Sequence, residues 1–314
     1  MLVALLRIFA ALALALGCHG AAQAACSTSS QSLVFTTGSS YDVRSGSIPN
    51  ASGLAGLSCT GSLLSVLGGG HARATITSAN GFQLKNGADQ IGYQVSADPV
   101  GTYTFTQGGT INYMSGSLLS LFSGNSFTAP LYGRISSTPN IAAGTYTDTL
   151  TVQWNWYICN GVQIGPICVF YETGSATVTV NVSLVVSKDC RINAPNINFG
   201  SAALVSQFTQ VAQAVLVDCT KDSSYTVSFS SGSGGSARPW RTMSDGSGNS
   251  LQYNIYRPDG TTIWDETNPM TSATLGTGGT TPNQVQSYVA KINTAQTTPP
   301  AGSYSDTVNV IIAF

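Results

Sequence analysis

The sequence predicts an all-β protein made of two tandem immunoglobulin-like antiparallel β-sandwiches, of which the C-terminal one is incomplete because it lacks its last strand. Apolar and polar residues alternate along short segments such as 74–77, 177–184 and 308–314, which is the periodicity of half-buried strands. Gly, Asn and Pro separate these segments, and no stretch has the pattern of a long helix. A chain of 314 residues also exceeds the usual size of one domain.

The two halves of the chain repeat each other. Three pairs of similar segments occur in the same order: IGYQV at 91–95 with LQYNI at 251–255, LYGRI at 131–135 with YVAKI at 288–292, and GTYTDTLTV at 144–152 with GSYSDTVNV at 302–310. Such self-similarity indicates a duplicated domain. The repeat predicts an N-terminal domain at residues 26–186 and a C-terminal domain at residues 187–314, joined by a very short linker.

The N-terminus has the parts of a secretory signal peptide. Arg7 precedes an apolar run over residues 8–16, and small residues follow at 21–25. We therefore expect residues 1–25 to be removed and the mature protein to be secreted through the periplasm. A lipoprotein box ending at Cys18 is the weaker alternative, since Leu is missing from its usual place.

The cysteines predict disulfides. Of seven cysteines, Cys18 lies in the predicted signal peptide, and the six others form an even set in an oxidising compartment. Sequence alone does not determine their connectivity. The repeat favours the sequential pairs Cys26 with Cys59, Cys190 with Cys219, and Cys159 with Cys168.

The C-terminal domain is expected to lack a strand. The first copy continues past its repeated segment into a further strand at 175–186, whereas the second ends at Phe314. An alternating apolar face would then border a groove without a partner strand; its residues are Val308, Val310, Ile312 and Phe314. Each exposed large apolar side chain leaves about 1.5–3 kcal/mol of burial energy unused. We expect the domain to accept a strand from another protein.

A subunit that polymerises through donated strands must also supply one. Cys26 follows the predicted cleavage site directly, so no donor extension precedes the first domain. We therefore expect this chain to accept a strand without donating one. That is the position of a subunit at the end of a fibre.

Four motifs carry a family resemblance: CRIN at 190–193, VDCT at 217–220, LQYNIY at 251–256 and AGSYSDTVNVIIAF at 301–314. Both halves resemble spore coat protein U domains, and the whole resembles the tip adhesins of Csu-type archaic chaperone-usher pili. The resemblance implies an N-terminal adhesin domain and a C-terminal pilin domain that receives a strand from the next pilin subunit. It also implies capping by a periplasmic pilus chaperone, export through an outer-membrane usher, and a place at the pilus tip on the cell surface.

Three apolar segments lengthen the first domain relative to the second, at residues 61–70, 113–122 and 158–168. Any single one could equally pack into an enlarged core, but three together favour exposed apolar loops. The resemblance implies attachment to hydrophobic, abiotic surfaces and biofilm formation through such loops. The predicted surface-binding residues are Leu63, Leu64, Val66, Leu67, Leu118, Leu119, Leu121, Phe122, Val162, Ile164, Pro166 and Ile167.

The composition argues against several other functions. Charged residues make up 8% of the chain and the net charge is −1, so no basic surface for nucleic acid exists. His71 is the only histidine of the mature chain and Glu172 the only glutamate of the first domain. We therefore predict no enzyme, no metal site and no cofactor. Asp148 and Asp306 occupy matching positions, which indicates structural hydrogen bonding.

Two other functions stay open. Trp154, Trp156 and Tyr157 could stack on a sugar, which would make the chain a glycan-binding pilus adhesin with an unknown receptor. Aromatic residues that alternate along a strand, however, more often lie in the core on one face and at the rim on the other. A structural, spore-coat-type secreted protein is the second alternative.

Overall fold

The structure is a computed structural model that describes residues 26–60, 70–122, 126–159, 163–164, 167–168 and 171–314. It is almost entirely β, with one short α-helix, α1 (Ser40–Ser45), and two 3-10 helices, Gly116–Phe122 and Val205–Gln207, in these ranges. No helix in this part of the chain has the length and apolar character needed to span a membrane.

The strands of the N-terminal domain are β1 (Cys26–Thr28), β2 (Gln31–Val34), β3 (Gly38–Ser39), β4 (Ala51–Thr60), β5 (His71–Ser78), β6 (Gln83–Asn86), β7 (Asp89–Ser96), β8 (Gly109–Asn112), β9 (Ser126–Ile135), β10 (Gly144–Cys159), β11 (Gln163–Ile164), β12 (Ile167–Cys168) and β13 (Tyr171–Ser187). Those of the C-terminal domain are β14 (Cys190–Asn193), β15 (Val211–Cys219), β16 (Thr226–Phe229), β17 (Arg241–Ser244), β18 (Ser250–Tyr256), β19 (Met270–Thr271), β20 (Gln284–Ile292) and β21 (Val310–Ala313). The predicted all-β, two-domain fold is confirmed.

The N-terminal domain is a closed sandwich. β1, β4, β9 and β7 form one layer, β8, β5, β10, β13 and β2 form the other, and β6 links the two. Inward residues of β10 alternate with exposed ones, as the period of two requires. Trp154 and Tyr113 meet in the core with ring centroids 5.4 Å apart.

β13 completes this sandwich. It pairs with β10 antiparallel along its whole length, from Gly144 opposite Val186 to Cys159 opposite Tyr171. On its other side it pairs with β2 in parallel. Its inward side chains, among them Val180 and Leu184, are fully buried.

The C-terminal domain has a smaller and open arrangement. One sheet has the order β14-β15-β20-β18-β17 and the other the order β19-β16-β21. The core is aromatic: Phe229 packs edge-on against Trp264, with ring centroids 4.9 Å apart, and against Tyr288. β21 pairs with β16 on one side, and among the described strands none pairs with its other side. The predicted incomplete sandwich is therefore confirmed.

The helix α1 lies at the junction of the domains. Ser39 and Asp42 form a reciprocal capping box, in which each side chain accepts a hydrogen bond from the other residue's backbone N–H. Gly46 ends the helix in the left-handed conformation, with φ of 72°. These local signals define both ends of α1, a short helix that the sequence analysis did not predict.

Hydrogen bonds and an ion pair join the two domains. They link Ser40 with Thr220 (2.7 Å), the Tyr41 hydroxyl with the Asp218 carbonyl (3.1 Å), Arg44 with the Gly278 carbonyl, Asn140 with the Thr277 carbonyl (2.8 Å), and Lys221 with Asp89 (2.6 Å). Ser40, Tyr41, Asp218 and Thr220 are all buried. This buried polar contact fixes the orientation of one domain relative to the other.

Candidate functional site

The open side of the C-terminal domain forms a groove of about 340 Å³. One wall is the irregular segment 194–199, and the other is the chain from 304 to 310 that leads into β21. Phe229, Tyr253 and Tyr288 contribute to the lining between these walls. We call this cavity the C-terminal groove.

The groove walls are apolar but incompletely covered. Ile197, Phe199, Val308 and Val310 are half-buried and pack against the core of the domain. The backbone of β21 also presents an edge that has no strand partner in the described chain. Because unpaired strand edges and exposed apolar side chains both favour association, this groove is suited to bind an extended polypeptide.

The predicted groove residues lie along the edge of β21. Val308 and Val310 line the groove, and Ile312 is half-buried against the same core. Phe314 is 55% exposed, and the ammonium of Lys188 lies 5.3 Å from the centroid of its ring. The structure thus brings Val308 and Val310 to the groove and leaves Phe314 at its end.

Sequence reasoning missed the opposite wall. Ile197 and Phe199 follow Cys190 at the same spacing at which Leu33 and Phe35 follow Cys26. Leu33 lies in β2 and Phe35 just after it, where they are 0% and 1% exposed beside β13. The cysteine spacing was therefore a readable signal for the second wall of the groove.

A tyrosine-aspartate hydrogen bond occurs next to the last strand in both domains. The Tyr93 hydroxyl donates to Asp148 at 2.6 Å, and the Tyr253 hydroxyl donates to Asp306 at 2.6 Å. Burial, followed by the neighbouring carboxylate, raises the pKa of both tyrosines, so they stay protonated donors. Asp148 is 3% exposed, whereas Asp306 is only half-buried. The predicted structural hydrogen bonding of the two aspartates is confirmed.

The disulfide predictions can be compared with the bonds present. Cys26 is bonded to Cys59 and Cys190 to Cys219, as predicted. Cys159 is also disulfide-bonded. Its pairing with Cys168, which lies in β12, stays a prediction.

The predicted surface-binding residues divide into three groups. Leu63, Leu64, Val66, Leu67, Val162 and Pro166 lie outside the described residues. Leu119, Leu121 and Phe122 belong to the 3-10 helix Gly116–Phe122, and Ile164 and Ile167 are backbone register partners in the β11–β12 pair.

Leu118 requires a correction. Its side chain is 2% exposed and belongs to the core of the N-terminal domain, so the expectation of an exposed apolar residue was wrong. A 3-10 helix turns every three residues, so one side of it can face the core while the rest follows the surface.

The aromatic residues proposed for sugar stacking do not share a surface. Trp154 and Trp156 are 2% and 8% exposed, and the Trp154 indole N–H donates to the Ala55 carbonyl at 2.9 Å. They point into the core, so the idea that they form a surface platform was wrong. Tyr157 lies on the outer face of β10, half-buried.

The polar candidates form no metal centre in the described ranges. His71 makes a contact of 2.7 Å between its Nε2 and the Asn155 side-chain oxygen. Among the residues described, no three His, Cys, Asp or Glu side chains are grouped as metal ligands would be.

Two tandem sandwiches, one closed and one open along its last strand, define the two-domain pilin fold. The sequence profile of the Spore Coat Protein U domain matches residues 13–153 and 176–311. The chain therefore belongs to the Spore Coat Protein U domain family, as the resemblance implied. No curated protein matches its sequence.

A solved structure gives the same fold. The chaperone-tip adhesion subunit pre-assembly complex CsuC-CsuE, from archaic chaperone-usher Csu pili of Acinetobacter baumannii, has a TM-score of 0.64 and 22% identity. The alignment covers 92% of this chain and 100% of that chain. The CooA pilin subunit of enterotoxigenic Escherichia coli is much less similar, with a TM-score of 0.31, 12% identity, and 52% and 99% of the two chains covered.

Proposed function

We propose that this protein is the tip adhesin subunit of an archaic chaperone-usher pilus and that it attaches cells to hydrophobic surfaces and promotes biofilm formation. The observation that carries the proposal is the difference between the two copies. The first is closed by its own β13, whereas the second has the same walls and an open groove between them. A protein with one open copy receives a strand from another subunit, and no enzymatic activity is involved.

The first copy indicates how the groove receives a strand. In it, Val180 lies opposite Leu150 and Val178 opposite Val152. The repeat places Val308 and Val310 at the positions of Leu150 and Val152. A donor strand with apolar residues at alternate positions, antiparallel to β21, would therefore fill the groove in the same way.

Because the open groove must be filled by a strand, we expect three protein partners. Before assembly a periplasmic chaperone covers the groove, the outer-membrane usher exports the subunit, and in the fibre the next pilin subunit donates the strand. The similarity to a subunit solved as a chaperone-tip adhesion subunit complex supports the first of these. The route through the periplasm agrees with the predicted signal peptide.

The strand register supports an adhesive pole on the N-terminal domain. The strands that lead into the three apolar segments end at Thr60, Asn112 and Cys159. Thr60 pairs with Ser126, Arg73 with Asn112, and Cys159 with Tyr171, so the strands that carry the segments end at one edge.

That edge is remote from the second domain. Ala142, just before β10, forms a parallel bridge with Lys221 of the C-terminal domain. β10 then runs for 16 residues to Cys159, a length of about 50 Å. The strand ends that lead into the apolar segments therefore lie at the end that a pilus would present to a surface.

The adhesion proposal is tested with one change in each apolar segment. Leu64→Ser, Leu119→Ser and Ile164→Ser together should abolish attachment of intact fibres to hydrophobic plastic, because apolar burial drives that contact. Antibody labelling should show that the fibres still assemble and carry the subunit at the tip.

The control for this test is Val285→Ser. Val285 is 61% exposed on β20 of the C-terminal domain, so the change removes a similar apolar group outside the three segments. It should leave attachment unchanged. If the triple variant attaches as well as the parent protein, the role of these segments is refuted.

A further inference from the structure

The outer face of the N-terminal domain carries a dense array of uncharged polar groups. On β5, β10 and β13 the outward residues are mostly Thr, Ser, Asn and Gln, while the inward ones are apolar. Their register forms two rows across the sheet, Thr75–Gln153–Thr177 and Arg73–Asn155–Ser175. Rows two residues apart along a strand are separated by about 6.6 Å, and adjacent strands by about 4.8 Å.

The face has a depression at these rows. Thr75, Gln153, Asn155, Ser175 and Thr177 line a shallow space of about 400 Å³. Gln153, Asn155, Ser175 and Thr177 are exposed, so their amide and hydroxyl groups are accessible. Amides and hydroxyls both donate and accept hydrogen bonds, which is the chemistry that recognises a polyhydroxylated ligand.

The charges of this face restrict the class of ligand. Arg73 is the only side chain on the outward side of β5, β10 and β13 with a full charge at neutral pH. Glu172 points inward, where it accepts a hydrogen bond from the Cys26 backbone N–H at 2.6 Å. A single positive charge among neutral amides and hydroxyls gives too weak a field to select an acidic polymer.

Aromatic rings extend the face beyond the depression. The rings of Tyr157 and Tyr171 are nearly parallel, with centroids 4.2 Å apart, and His71 lies 6.0 Å from Tyr157. Each ring is half-buried. Because Tyr157 stacks with both neighbouring rings, this aromatic cluster borders the depression and does not itself offer a free ring face to a sugar.

The C-terminal domain lacks this combination. The repeat places Ile311 and Ala313 of β21 at the positions of Gln153 and Asn155. The amides are therefore particular to the N-terminal copy. A merely solvated outer face would not require that difference between the two copies.

From these observations we infer that the outer face of β5, β10 and β13 binds a neutral polysaccharide chain. The chain lies in the depression, with hydrogen bonds to Gln153, Asn155 and Ser175. This site is on the side of the sheet and not at the end that carries the apolar segments. The inference goes beyond the proposed attachment to hydrophobic surfaces and does not depend on it.

The test uses the full mature chain in affinity electrophoresis. Gels contain dextran, mannan or hydroxyethylcellulose as neutral probes, and alginate or heparin as charged ones. At least one neutral polymer should retard the protein. Gln153→Ala with Asn155→Ala should weaken that binding about tenfold, since two hydrogen bonds are lost.

Further variants separate binding from folding. Ser175→Arg fills the depression from an exposed position and should also abolish retardation, even if the double variant is poorly folded. Thr147→Ala with Thr149→Ala changes the same face of β10 away from the depression and should bind normally. Attachment to hydrophobic plastic should be the same for all variants, so the outcome is distinct from that of the adhesion test.

Three results would overturn the inference. They are the absence of retardation by every neutral polymer, retardation by the charged polymers alone, and equal binding by the parent protein and the Ser175→Arg variant.

Discussion

The two domains are copies of one sandwich that differ by a single strand. In the N-terminal copy β13 lies between β10 and β2, and Leu33 and Phe35 are fully buried. In the C-terminal copy the matching Ile197 and Phe199 are half-buried beside a groove. Side chains at equivalent positions thus belong to the core where the chain supplies the last strand, and to a binding site where it does not. Three predictions test this comparison, in order of expected effect.

The largest effect is expected from a charge placed in β13. Val180 is 0% exposed, and Val180→Asp would bury a carboxylate without a partner. We expect the free energy of unfolding of the N-terminal domain to fall by about 4 kcal/mol or more. Urea denaturation followed by tryptophan fluorescence measures it.

Two matched changes complete that experiment. Thr179→Asp places the same charge on the exposed side of the same strand and should change stability by about 0.5 kcal/mol or less. Val310→Asp in the half-buried wall of the C-terminal groove should cost less than Val180→Asp while the groove is empty. If Val180→Asp and Val310→Asp lower the free energy of unfolding equally, the proposed difference between the closed and the open copy is contradicted.

An intermediate effect is expected when the missing strand is supplied. A peptide with the sequence of residues 176–186 should bind the C-terminal groove, because the first copy uses that segment to fill the same gap. At a concentration of about 100 times its Kd, it should stabilise the domain by about 2.7 kcal/mol, visible as a raised Tm.

The control peptide carries Ser at the five large inward positions of the segment, Val178, Val180, Val182, Leu184 and Val186. It can form the same backbone hydrogen bonds but lacks the large inward apolar side chains, and should not change the Tm. If both peptides raise the Tm equally, or neither does, the C-terminal groove does not recognise the apolar side chains that β13 buries in the N-terminal copy.

The smallest effect is expected at the contact between the domains. Burial alone would raise the pKa of Asp89, but hydrogen bonds from the Ala142 backbone N–H, Lys221 and Tyr146 outweigh it and hold this pKa below its usual value. The stabilisation that the Asp89 carboxylate provides is therefore fully present above the pKa that Asp89 has in the unfolded state. It is lost as the pH falls through the pKa that Asp89 has in the folded state.

Asp89→Asn should accordingly reduce stability by about 0.5–1 kcal/mol at neutral pH and by progressively less in acid. Asp222→Asn is the matched control, since its carboxylate lies 4.0 Å from Lys221 and is 66% exposed. It should leave the pH dependence of unfolding unchanged. If the free energy of unfolding differs between Asp89→Asn and the parent protein by the same amount at every pH, the ion pair is not the cause of that difference.

Sequence reasoning succeeded where the signal was local or repeated. The alternation along β10 and β13, the cysteine pairs that match between the copies, and the missing last strand were all readable from residue order. It failed at Leu118, whose apolar character is compatible with a loop or a core. It also missed α1, although the capping residues Ser39 and Asp42 were present in the sequence.

By itself, the sequence determined that the chain is a duplicated β protein with one strand too few, because period-two alternation and repetition are properties of residue order. Only the tertiary structure decided which apolar residues line the groove, that Trp154 and Trp156 face the core, and that Gln153 and Asn155 form rows with β5 and β13. These facts depend on strand pairings between residues far apart in the chain, and a shift of one residue in any pairing would move each side chain to the opposite face.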